Sequence, residues 1–105
     1  MSFIAPLNLL SATLVLDTSL EGWSLLEPSG EGTREFRYQV IFSRSFSAPP
    51  VVQVGIVGLD VSKEDNLRVR VRAVDISPHG FTLLASTWMG TKIWSVEVSW
   101  LAVGS

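Results

Sequence analysis

The octapeptide TWMGTKIW, Thr87 to Trp94, places two of the chain's four tryptophans around a Met-Gly-Thr-Lys turn. An indole left on a surface offers a flat apolar face with an N–H at its edge, which suits the C–H face of a sugar ring. Strand ends also bury tryptophan routinely, and the pattern alone favours the core for either residue. Burial is hardest to complete beside a turn, so the surface reading stays open. A second group lies upstream. In NLRVRVRAV, Asn66 to Val74, period two sends Arg68, Arg70 and Arg72 to one strand face and Leu67, Val69 and Val71 to the other. Three guanidinium groups on one face are not core. They form an exposed, edge-protecting face, or they present planar, forked donors to a ligand or a neighbouring subunit.

Catalytic chemistry has little to work with. The chain has a single histidine, His79, and no cysteine, which leaves no zinc ligand set and no thiolate. The Ser-Pro-His-Gly context puts His79 in a turn, where a solvated imidazole is the ordinary outcome. A hydrolytic triad would need that same histidine, and no nucleophile occupies an elbow motif. Asp60, Glu64 and Asp65 share one loop without the spacing that wraps oxygen ligands around calcium. We expect no catalytic residue, no metal and no cofactor.

The elements that position these residues are strands. Period-two alternation begins at Phe36, with Phe36, Tyr38, Val40 and Phe42 on one face. It continues through Val51 to Leu59, Asn66 to Val74, Phe81 to Trp88 and Ile93 to Val103. The breaks SAPP, DVSKED, ISPHG and MGTK carry the Gly, Pro, Asp and Ser of turns. Connections this short predict antiparallel neighbours. With Thr13 to Leu16 as a further strand, the expectation is an all-β, six-stranded antiparallel β-sandwich. The stretch Leu20 to Thr33 breaks the pattern and reads as a long loop, a common place for binding on a rigid sandwich.

At 105 residues the chain fits one core. We divide it into an N-terminal strand and loop extension over 1–21, packed on the domain, and the domain proper over 22–105. Hydrophobic residues make up 47% and charged residues 17%, which argues against disorder. Eight Lys/Arg against ten Asp/Glu give a formal charge of −2, too little basicity for nucleic-acid binding by phosphate neutralisation. The apolar N-terminus lacks a basic n-region, and no run of about 18 apolar residues occurs, so neither a secretory signal nor a transmembrane helix is expected. Without cysteine the sequence is silent on compartment, and the expectation is a cytoplasmic protein or one released without a classical signal.

A series of motifs in order resembles one family: GW at Gly22-Trp23, TRE at Thr33 to Glu35, APPVV at Ala48 to Val52, GLDVS at Gly58 to Ser62 and NLRV at Asn66 to Val69. The series continues with ISPHGF at Ile76 to Phe81, TWMGTKIW, and VSWLA at Val98 to Ala102. The family is that of the H-type lectins, the N-acetylgalactosamine-binding domains typified by a snail agglutinin and by the C-terminal domain of slime-mould discoidins. The resemblance covers about Gly22 to Val103. It implies a six-stranded sandwich that assembles as a homotrimer with sugar sites in clefts near the protomer boundaries. It leaves open whether two trimers pair into a hexamer. By motif, Arg68 would bond sugar hydroxyls, Trp88 would carry the ring, and Trp94 would be the aromatic that ends the motif. Glu31, with Ser29 beside it, would be the loop acceptors, serving a neighbouring protomer's site.

Three positions depart from the family pattern. Met89 replaces a frequent histidine and removes a polar partner for an N-acetyl group. Trp94 replaces a frequent tyrosine, and Glu31 an aspartate. The family's extracellular members also carry disulfides, which this chain lacks. The resemblance therefore implies a non-enzymatic lectin or agglutinin for terminal galactose or N-acetylgalactosamine, with shallow sites made effective by multivalency. The alternative is a trimeric structural or cell-adhesion module that has lost or altered sugar binding, its arginines serving subunit contacts with acids such as Glu97.

Overall fold

The computed structural model describes residues 7–27 and 32–105. Ser29 and Glu31 lie outside these residues. Six strands follow one another: β1 (Asn8–Asp17), β2 (Thr33–Ile41), β3 (Val51–Val61), β4 (Arg70–Ser77), β5 (Gly80–Trp88) and β6 (Ile93–Gly104). They form two three-stranded antiparallel sheets, one ordered β1-β6-β3 and the other β2-β5-β4. The sandwich expected from the alternation is present. β1 is longer than the Thr13 to Leu16 segment that the alternation exposed and pairs with β6 along its whole length.

The core lies between the sheets. Val96, Val98, Trp100 and Ala102 of β6 face Phe81, Leu83 and Ala85 of β5, with Phe36 and Val40 of β2 and Leu16 of β1 completing the buried set. An aromatic group closes one end, where Phe42 and Phe81 pack on Trp100 with ring centroids 5.8 and 5.4 Å away. Phe36, Val40 and Phe42 are inward as the alternation predicts, whereas Tyr38, on the same row, is partly exposed.

The connections correct the expectation of antiparallel neighbours. Only β4 and β5 are both consecutive and hydrogen-bonded; β2 to β3, β3 to β4 and β5 to β6 each pass from one sheet to the other. MGTK is therefore an arch between sheets, not a hairpin tip. Four residues suffice, because sheets stack about 10 Å apart and an extended residue reaches about 3.3 Å. The long loop after β1 also differs from a surface loop. Leu25 is fully buried in it, and Trp23 lies against Phe36 with ring centroids 5.0 Å apart.

Candidate functional site

Three segments meet at the end of the sandwich where β5 gives way to β6. They are the loop around Trp23 to Glu27, the stretch from Ser62 to Arg68, and the arch from Trp88 to Trp94. Their backbones are tied directly: the Ile93 N–H donates to the Leu25 carbonyl at 3.0 Å, and the Ser62 N–H to the Lys92 carbonyl at 2.9 Å. The Trp23 indole N–H donates to the Ile93 carbonyl at 3.0 Å.

The residue that holds the arch most firmly is Arg34, whose side chain the sequence pattern does not mark. It is inward on β2 and buried. One guanidinium nitrogen donates to the Leu25 and Glu27 carbonyls at 3.1 and 2.6 Å, and the other to the Met89 and Thr91 carbonyls at 2.8 and 2.6 Å. No carboxylate pairs with it among the described residues. Four carbonyl dipoles take the place of one counter-ion. Burial still pulls its pKa below the ordinary guanidinium value, with the nearby Glu27 charge opposing that shift. An alternating strand hides such a residue, because its partners come from loops 7 and 55 positions away.

Arg68 is not on the strand face shared by Arg70 and Arg72. β4 begins at Arg70, and Arg68 precedes it, half-buried against the arch. Its guanidinium donates to the Asp65 carboxylate at 3.3 Å and to the Thr91 hydroxyl at 3.2 Å. The Thr91 hydroxyl in turn donates to the Asn66 carbonyl at 2.5 Å, and the Thr87 hydroxyl donates to the Arg68 carbonyl. Leu67, expected inward, is half exposed. The Asn66 N–H bond, and then Arg68, hold the Asp65 carboxyl below its ordinary value. A Cβ on Gly90 would collide with that carboxylate, which would have to swing aside to admit it. Met89 just before it takes φ 59°, a left-handed conformation rare for a long side chain, and is left exposed at the apex.

The two tryptophans stand on different sheets. Trp88 ends β5 and is half-buried on the outer side of its sheet, with the Arg70 guanidinium 5.3 Å from the ring centroid. Trp94 is second in β6. Against β3, Ile93 pairs with Val61 and Ser95 with Asp60, so Trp94 is the extra residue of a β-bulge. That bulge turns it outward and leaves it 47% exposed. Arg68, Trp88, Met89 and Trp94 thus share one end of the molecule, held by Arg34, Thr87 and Thr91. His79 lies at the opposite end of β5, its Nδ1 3.0 Å from the Ser45 hydroxyl. Among the described residues no group of three His, Cys, Asp or Glu side chains is placed to hold a metal ion.

With this geometry in view, the comparisons decide the family. The H-type lectin domain family model matches residues 37–103. The chain belongs to that family. A protein of Fuscovulum blasticum described as ATP synthase subunits region ORF 7 is 39% identical over 77 residues, covering 73% of this chain and 67% of that protein. Two structures of discoidin II from Dictyostelium discoideum superpose with TM-scores of 0.77 and 0.80, at 22% and 21% identity. They cover 94% and 99% of this chain, which spans only 37% and 39% of theirs. The discoidin-like sandwich is thus shared at low identity, and membership of a lectin family supports carbohydrate binding. No helix among the described residues is long and apolar enough to cross a membrane.

Proposed function

We propose that the chain is a non-enzymatic lectin that binds terminal galactose or N-acetylgalactosamine on glycans at the arch between β5 and β6. The observation that carries this reading is an outward Trp88, the Arg70 guanidinium over its ring, at the same end of the sandwich as an Arg68 guanidinium already fixed by Asp65 and Thr91. The indole supplies a flat surface for the sugar's C–H face, and Arg68 supplies donors whose orientation is set before the ligand arrives. Trp94, aimed outward from the other sheet by its bulge, is the aromatic assigned to the rim at that end. Met89 at the apex offers a soft apolar contact where a polar partner for an N-acetyl group would stand, which favours galactose over its N-acetylated form. Ser29 and Glu31 are the acceptors assigned to the adjoining loop.

Single-site affinity is weak, because a small polar ligand buries little apolar area and competes with water for each hydrogen bond. Multivalency compensates. We assign the homotrimer contact to the outer face of the β1-β6-β3 sheet, where Leu9, Val15, Val51 and Val57 are exposed and Val57, Ser99 and Leu101 line an open hollow of about 330 Å³. The alternative, an arginine to Glu97 contact between subunits, would join the outer face of one protomer's β2-β5-β4 sheet to the β1-β6-β3 sheet of the next. Arg70 aligns with Ser86 in the β2-β5-β4 sheet, while Glu97 is in β6 of the other sheet.

A glycan array competed by free galactose and N-acetylgalactosamine tests the function. Binding to galactose-type termini is expected, with loss in Arg68→Ala and in Trp88→Ala at unchanged oligomer mass. A blank array from an intact oligomer would sink the lectin reading and leave the structural module in its place.

A further inference from the structure

The outer face of the β2-β5-β4 sheet carries charge that neither the fold nor a neutral-sugar site uses. Its rows are set by register: Glu35, Ser86 and Arg70 lie side by side, then Arg37, Leu84 and Arg72. Three of the chain's eight cationic residues gather there, in a protein whose formal charge is −2. Arg37 is paired with Glu35 at 3.3 Å. Arg70 and Arg72 have no carboxylate partner among the described residues. Arg70 lies over Trp88 instead, and Arg72 stands two residues further along the same face, about 6.6 Å away by strand rise.

Resting on the reading of Trp88 as a sugar platform, we propose that this lectin prefers galactose-type sugars bearing an anionic substituent, a sulfate ester or a carboxylate, received by Arg70 and Arg72. A sugar that takes the face of Trp88 covered by Arg70 displaces its guanidinium from the ring. A neutral sugar returns to that cation at most an uncharged hydroxyl acceptor. A sulfate or carboxylate returns a charge-assisted, forked hydrogen bond, and Arg72 adds a second donor group on the same side. The preference follows from which ligand leaves both guanidinium groups partnered.

The test is calorimetric titration of the full chain with galactose, galactose 3-O-sulfate, galactose 6-O-sulfate and galacturonate. At low ionic strength at least one anionic sugar is expected to bind about five- to tenfold tighter than galactose, and that ratio shrinks as salt screens the pair. The sulfates and the uronate separate the two sources of charge. In Arg70→Gln/Arg72→Gln the ratio falls to about one. Galactose binding as tightly as every anionic derivative, or a ratio that survives in the double variant, overturns the preference while leaving galactose binding in place. Failure of all four sugars to bind overturns the underlying lectin reading and this inference together.

Discussion

The two sheets are built alike, three antiparallel strands each, yet their outer faces are finished differently. β5 is buried from Gly80 to Thr87, on its outer side as well as its inner side. The outward residues Thr82, Leu84 and Ser86 are flanked in register by Gln39, Arg37 and Glu35 on one side and by Val74, Arg72 and Arg70 on the other. Long side chains lie beside short ones, and their hydrocarbon stems cover them while the charges stay wet. On β6 the outward residues Ser95, Glu97, Ser99, Leu101 and Val103 remain partly exposed. Their neighbours include Thr13, Gly55 and Gly58, too short to cover anything, and Leu9 and Val51, which are apolar and exposed themselves. One sheet covers its own outer surface. The other leaves its outer face open, with exposed Leu9, Val15, Val51 and Val57 among polar residues such as Ser95, Glu97 and Ser99.

The largest expected effect comes from putting a charge on the open face. Val51 is 67% exposed, so Val51→Asp should leave the protomer fold intact. In an assembly it buries an unpaired carboxylate from every subunit, at several kcal/mol each. Light scattering at micromolar concentration should show the mass fall by about a factor of three for a closed trimer. Arg72→Asp on the covered face should leave the mass unaltered. An unchanged mass for Val51→Asp, or a drop for Arg72→Asp, would reverse the roles assigned to the two faces.

A smaller effect separates the two kinds of burial within β5. Leu83 is fully buried in the core, and Leu84 is 8% exposed on the outer side beside Arg37 and Arg72. Leu83→Ala opens a cavity that rigid surroundings cannot refill and should cost about 3 kcal/mol in urea unfolding. Leu84→Ala leaves a gap that flexible arginine stems can settle into, and about 1.5 kcal/mol is expected. Equal losses would mean that the outer side is as rigidly packed as the core.

These contrasts mark where sequence reading succeeds. Strand positions are legible because alternation is a local property: Phe36, Val40, Val71 and the β6 series Val96, Val98 and Trp100 show their inward faces without knowledge of any partner. Which strands pair is not local. ISPHG joins hydrogen-bonded neighbours and MGTK joins opposite sheets, yet both are short turn-rich segments of similar composition. The position of Arg68 off the strand, and of Trp94 on a bulge, depends on register with β5 and β3, which the residues themselves do not carry. Arg34 is the extreme case, since its role is defined by four carbonyls drawn from two loops. Parity with Phe36 and Val40 places Arg34 on the inward row, but nothing local shows which groups satisfy it there. The motif resemblance found the arch because it bypasses register. It did not reveal Arg34, Thr87 and Thr91 as the groups that hold the arch in place.

The smallest effect concerns how Arg68 is held against the arch, and it is read through pH. The Asp65 carboxyl is kept below its ordinary value of 3.8, first by the Asn66 N–H and then by Arg68. A carboxylate with a depressed folded pKa contributes stability that is fully present above its unfolded value. That contribution is lost as pH falls through the folded value. Wild type should therefore have a higher urea midpoint than Asp65→Asn at about pH 6, and the difference should shrink as pH falls below 3.8 and through the lowered folded value. Because the group is exposed, the gap is small and salt should narrow it. A gap that persists unchanged in acid would show that the carboxylate's charge is not what matters. Its packing against Gly90 would then be the cause, and Arg68 would owe its place to Thr91 alone.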